Sequence, residues 1–201
     1  MKEKPPAHRR GRPRAFDADQ ALDRAMRVFW KHGYEGASLP ELTRAMGINR
    51  PSLYAAFGNK ETLFRRALDR YVEQGRGLLR EALAQPTARG TVAWLWRGVV
   101  GTPRRGRVRG CLLVQGALAC GEAAEPIRQE LVRRRAAVEI ALRQRFERAR
   151  AARDLPEDAD PAVLAKYVAT FQQGIAVQLA GGAKREALLA AVDIAMRAWP
   201  T

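Results

Sequence analysis

The chain has 201 residues, 47% hydrophobic and 28% charged, the proportions of a globular protein large enough to bury a core without disulfides or a structural metal. Its 36 Lys and Arg against 21 Asp and Glu leave a net charge of +15, which makes a polyanion, nucleic acid first, the expected partner. No uncharged apolar run approaches the roughly 18 residues of a membrane span, and the basic N-terminus lacks the apolar segment of a secretion signal, so a cytoplasmic protein without membrane contact is expected.

Residues 1–14, MKEKPPAHRRGRPR, combine six basic residues with three prolines and no apolar period, the composition of a disordered arm. Asp17 and Gln20 fit a capping box that opens a helix over about 18–32, with Leu22, Ala25, Met26 and Phe29 at helical spacing and Gly33 as its stop. Ser38 and Glu41 form a second box; Leu39, Leu42 and Met46 make the inward stripe of helix two, and Gly47 ends it. Asn49 is the expected cap of a third helix over about 50–57, followed by Gly58.

That third helix is too short to stand alone, so packing must hold it. At about 100° per residue, Leu53, Ala56 and Phe57 share an inner side while Pro51, Ser52, Tyr54 and Ala55 project outward. Pro51 costs little in a first turn, where N–H groups have no intrahelical acceptor. Helix two, a tight turn around Gly47 and helix three give a helix-turn-helix pattern, whose second helix enters a DNA major groove. Ser52, Pro51 and Ala55 suit base edges and thymine methyls; Tyr54 and Lys60 suit phosphate oxygens.

A long fourth helix runs from Asn59 to about Leu83, with Gly75 and Gly77 as candidate bend points. The segments VAWLWRGVV and GCLLVQGALACG, a stretch over about 126–153, a helix capped by Asp160 and closed by Gly181-Gly182, and a last helix carrying Leu188, Val192 and Trp199 complete the chain. No alternating pattern argues for a strand. The expectation is an all-α fold of about nine helices: an arm over 1–14, a helix-turn-helix domain over 15–60, and a helical domain over 61–201.

The segment GYEGASLPELTRAMGINRPSLYAAFGNKETLFRRALDRY, residues 33–71, closely resembles the DNA-binding domain of TetR/AcrR-type bacterial transcriptional regulators. The match lies in order and spacing: the Gly-Tyr segment, Ser at the helix-two cap, the Gly-hydrophobic turn, then Leu-Tyr-x-x-Phe followed by Lys and a Leu-Phe pair. Thr43 stands where many members have alanine. The resemblance implies a homodimer that binds a palindromic double-stranded DNA operator, represses transcription, and is released by a small-molecule inducer, with no cofactor. It also implies that Ser38 makes a backbone contact, that Arg50, Pro51, Ser52 and Ala55 face the groove, and that Tyr54 and Lys60 touch phosphates. The arm resembles the basic extension of many members, with Arg9, Arg10, Arg12 and Arg14 suited to the minor groove.

The last two helices are the expected dimer interface, with Tyr167, Phe171, Leu188, Val192 and Trp199 on it. For the inducer, Tyr71, Trp94, Trp96, Cys111, Gln115, Phe146 and Gln172 are the candidate pocket residues, suiting an apolar or aromatic compound. Trp94 and Trp96 are about 200° apart on a helix, so only one of them can face a given cavity. Arg104, Arg105, Arg107 and Arg109 precede Cys111, a setting that would favour thiolate in an oxidant- or electrophile-sensing thiol, but free Cys is so often buried that a small buried thiol is the reading expected. Cys120 lies half a turn away on a continuous helix, which argues against a disulfide. His8 and His32 show no zinc spacing and no nucleotide-binding loop occurs, so neither an enzyme nor a metal site is expected. The other class compatible with the charge is an architectural or RNA-binding helical protein without ligand control.

Overall fold

The structure, a computed structural model, describes residues 16–101, 110–118 and 124–200. The arm residues Arg9, Arg10, Arg12 and Arg14, the arginines 104–109 and Cys120 lie outside them. Among the described residues there are nine helices and no strand: α1 (Ala18–Gly36), α2 (Leu39–Met46), α3 (Arg50–Phe57), α4 (Lys60–Leu83), α5 (Ala88–Gly101), α6 (Leu112–Leu118), α7 (Glu125–Ala151), α8 (Pro161–Ala180) and α9 (Arg185–Arg197). None of them is long and apolar enough to cross a membrane.

Local chemistry sets the boundaries. Asp17 accepts from the N–H groups of Asp19 and Gln20, Ser38 from Glu41, Asn49 from Ser52 and Asn59 from Thr62, so each of the first four helices starts on a side-chain cap. Gly33 (φ 72°, ψ −177°) interrupts α1 as a helical stop should, and one further turn follows it. α4 passes through Gly75 and Gly77 unbroken.

Two apolar cores result. The first gathers Phe29, Leu42, Leu53 and Phe57 from α1–α3 with Leu63, Phe64, Ala67 and Leu68 from the start of α4. It is closed by Leu112 and Leu113 of α6 and Ile127 and Leu131 of α7. This packing unit therefore runs past residue 60, because the first three turns of α4 supply its floor. The second core holds Trp96, Leu142, Phe146, Val168, Val192 and Trp199. Trp96 is fully buried and its indole N–H donates to the Val168 carbonyl at 3.2 Å.

This second core corrects several sequence expectations. Leu188, Val192 and Trp199, expected at a dimer interface, are 7%, 0% and 3% exposed and close the subunit's own core. Phe146 is fully buried with Leu142 and Ala149 on one stripe of α7, its ring 5.4 Å from that of Trp199, a position that leaves the pocket expectation open. Trp94 is 44% exposed, turned away from the core that Trp96 fills.

α4 is tied on both sides. Arg70 binds Asp23 of α1 at 3.0 Å, and Gln74 donates to the same carboxylate at 3.3 Å. On the other side Arg134 of α7 binds Asp69 at 2.7 Å and Glu130 at 2.8 Å, and hydrogen bonds from Arg133 first and Arg134 second hold the Glu130 carboxyl below its ordinary range. A rigid α4 thus joins the helix-turn-helix unit to the remaining helices.

Candidate nucleic-acid interface

The recognition element is α3, and its short length is offset at every end. Asn49 caps it at 2.9 Å, a contact worth about 1 kcal/mol. Leu53 and Phe57 are 0% and 3% exposed, and burying such side chains contributes about 1.5–3 kcal/mol each. At its far end the Gly58 N–H bonds the Tyr54 carbonyl at 3.0 Å. Arg66 of α4 donates to the Ala56 carbonyl at 2.9 Å, its guanidinium over the Phe57 ring. That brace is not legible in local sequence patterns, since its partners are ten residues apart across a turn.

What the anchoring leaves outside is the reading face. Tyr54 is 49% exposed, Arg50, Pro51 and Ala55 are exposed and Ser52 is half-buried. The turn before α3 depends on Gly47, whose φ of 72° is left-handed and whose N–H bonds the Arg44 carbonyl at 3.3 Å. Gly47→Ala is expected to cost about 1–2 kcal/mol, the penalty of placing a Cβ in that region, read as a lowered urea midpoint with unchanged slope.

Ser38 is exposed at the start of α2 and accepts the Glu41 N–H at 3.3 Å, which leaves its hydroxyl proton to donate. The Lys60 ammonium donates to the Glu35 carbonyl at 3.2 Å in an exposed contact and lies 4.9 Å from the Tyr34 ring centroid, with further N–H groups left to donate. Burial lowers its pKa, and the side chain bridges the start of α4 to the end of α1.

Beside α3 an open cleft is lined by Pro40, Thr43, Arg44, Gly47, Ile48, Asn49 and Arg50. Sequence reasoning passed over Arg44; its position four residues after Pro40, on the face opposite Leu42 and Met46, was the available signal.

Two of the remaining pocket candidates, Tyr71 and Cys111, pack against the first core. The Tyr71 hydroxyl donates to the Cys111 thiol at 3.4 Å, and the Tyr71 ring meets Trp30 edge-on at 5.0 Å. Cys111 is half-buried just before α6. Gln115 of α6 and Gln172 of α8 each carry a buried amide oxygen without a hydrogen-bond partner among the described residues. No group of acidic, His and Cys side chains able to hold a metal occurs among the described residues.

Comparison with known proteins agrees with this layout. The family described as "Bacterial regulatory proteins, tetR family" matches residues 21–67, and "Tetracyclin repressor-like, C-terminal domain" matches residues 96–195. The HTH-type transcriptional repressor ComR of Escherichia coli K12 is 32% identical over 194 residues, covering 95% of this chain and 92% of ComR. The repressor BdcR of the same organism is 37% identical over 108 residues, covering 53% of this chain and 55% of BdcR. Among solved structures, a cysteine mutant of the TetR family regulator CifR, complexed with 26 bp double-strand operator DNA, is 48% identical with a TM-score of 0.89, covering 94% of this chain and 100% of CifR. The chain belongs to the tetR family of bacterial regulatory proteins.

Proposed function

We propose that the protein is a homodimeric repressor that binds a palindromic operator through α3 and releases it when a small molecule binds the helical domain. The observation that carries the DNA half of this reading is the split face of α3: Leu53 and Phe57 are buried while Tyr54, Pro51, Ala55 and Arg50 stand free. An eight-residue helix held so firmly from behind, with a proline, an alanine and a phenol in front, is built for a major groove. CifR, at 48% identity, has been captured on operator DNA.

Dimerisation is supported by apolar surface on α8 and α9. Val163, Tyr167 and Val177 on α8 are 63%, 37% and 47% exposed, and Ile194 on α9 is 65% exposed. The first two are four residues apart and the third lies ten further on, a spacing close to the 3.5-residue repeat of helices that pack in pairs. Thr170 and Gly174 fill the same stripe, and Gly174 has open space where a Cβ would stand. This is the opposite side of α9 from Leu188, Val192 and Trp199. Tyr167, whose ring also meets those of Trp96 and Phe171, is the expected interface residue that reaches the surface. Two α3 helices related by a two-fold axis then read half-sites about one DNA turn apart.

The inducer side rests on Gln115 and Gln172. An unpaired buried acceptor costs roughly 1–3 kcal/mol, and one on α6 and another on α8 favour a ligand that brings hydrogen-bond donors. Such compounds are the ones to titrate against the protein–DNA complex.

Footprinting on DNA upstream of the protein's own gene tests the reading. Protection of an inverted repeat is expected. Tyr54→Ala is expected to weaken binding about tenfold per half-site, on operator and random duplex alike, with an unchanged melting temperature. Equal affinity of the wild type for random duplex and for the upstream region would favour an architectural protein instead.

A further inference from the structure

The surface beside α3 holds more positive charge than the recognition helix uses. Three arginines from three helices meet at the α2–α3 turn. Arg24 of α1 brings its Nη1 within 3.3 Å of where a Cβ on Gly47 would stand. Arg44 of α2 and Arg50 of α3 line the open cleft on either side of the same glycine.

All three side chains are exposed, and among the described residues none of their guanidinium groups forms an ion pair or a hydrogen bond, Arg24 acting on Asp17 only through longer-range charge. That sets them apart from Arg65, Arg70, Arg134 and Arg143, each held by a carboxylate. The acidic groups nearby are committed elsewhere. Asp17, whose carboxyl feels Arg24, accepts the first N–H groups of α1, and Glu41 lies 2.9 Å from His32. Arg27, three residues after Arg24, is also exposed and extends the positive charge along α1.

Guanidinium groups gathered within one Debye length repel one another unless an anion is brought in. The planar donor forks suit a phosphodiester, which two of them can grip from different sides. The cleft is continuous with the face of α3 through Asn49 and Arg50, so the anion that reaches it first is the backbone of the DNA that α3 enters.

We propose that Arg24 and Arg44 clamp an operator backbone phosphate at the α2–α3 turn, next to the base edges that Arg50 faces, extending the DNA contact from α3 onto α1 and α2. The proposal rests on the DNA-binding reading above. Its function is register: a phosphate fixed beside Gly47 sets how deep the first turn of α3 sits in the groove.

Fluorescence anisotropy of the full chain on operator and random duplex, from 50 to 200 mM salt, tests it. These concentrations span the range over which counterion release changes affinity strongly, by about 10³–10⁵ for a protein with several phosphate contacts. The Arg24→Ala/Arg44→Ala double variant is expected to weaken both duplexes by about tenfold and to lower the salt slope by about two, one phosphate being lost per subunit, and each single variant to do less, because the other arginine still holds that phosphate. Arg44→Lys should recover the slope but only part of the affinity. Unchanged affinity and slope in the Arg24→Ala/Arg44→Ala double variant, with Tyr54→Ala still weakening binding, would overturn the clamp and leave the operator reading standing. Weakening confined to operator with the slope unchanged would also overturn it, since that is the mark of a base contact. Because both side chains are exposed, melting curves of the variants should overlay the wild type.

Discussion

Replacing Val177 and Ile194 together with glutamate is expected to give a folded monomer that no longer binds its operator at concentrations that saturate the wild type. Both side chains are open to solvent in the single chain, 47% and 65% exposed, so a carboxylate there costs the subunit little, within about 0.5 kcal/mol for a surface site. In a dimer the same positions are buried against a second copy, where an unpaired charge loses its hydration at several kcal/mol. The two-fold axis doubles every such loss, because each residue occurs on both subunits. A single α3 then faces a single half-site, and the gap between specific and non-specific binding, about 10³-fold or more, is lost with the second. Light scattering at micromolar concentration gives the mass, and anisotropy gives the affinity. A double variant that stays dimeric would move the interface off α8 and α9.

Why that face was hidden in the sequence follows from the helices themselves. α8 is apolar on two sides: Ala165, Val168, Ile175 and Ala176 point inward, while Val163, Tyr167 and Val177 point out. A period of 3.6 cannot tell a core stripe from a contact stripe when both are apolar, so the strongest stripe of α9, Leu188 to Trp199, was assigned to the interface when it belongs to the core. The same ambiguity holds at Trp94 and Phe146, each in a helix whose apolar residues go nearly all the way round or whose core stripe is interrupted by arginines.

The helix-turn-helix unit was legible for the opposite reason. Its caps, stops and stripes all act within four residues: Asn49 with Ser52, Gly58 with Tyr54, Gly47 with Arg44 and Thr43. The contacts that escaped reading join distant positions. Lys60 with Glu35 spans 25 residues, and Arg70 with Asp23 spans 47. Charge pattern along a chain does not show which distant carbonyl a lysine reaches.

The second large effect is expected at Phe64. Phe64→Ala should cost about 3–5 kcal/mol, the range for emptying a large aromatic site in a packed interior. The ring is fully buried, 4.9 Å from Phe29 in an edge-on contact and 5.2 Å from Tyr34, each such pair adding about 0.5–1.5 kcal/mol beyond area. Its far edge reaches toward Gly116 of α6, where a Cβ would stand 4.0 Å from the ring and 3.2 Å from Leu131. Phe64 therefore fills the space where α1, α4, α6 and α7 converge, between the unit that carries α3 and the helices that carry Cys111, Gln115 and Glu130. The cavity cannot close by moving one helix, because α4 is held to α1 through Arg70 and to α7 through Arg134. A loss of this size exceeds a third of the stability of a typical domain. Urea unfolding followed by tryptophan fluorescence measures it, and a loss below about 1 kcal/mol would mean that the site collapses freely. At a temperature where the variant remains folded, its DNA affinity should fall less than that of Tyr54→Ala, because Phe64 supports α3 only through the core while Tyr54 stands on the surface that meets DNA.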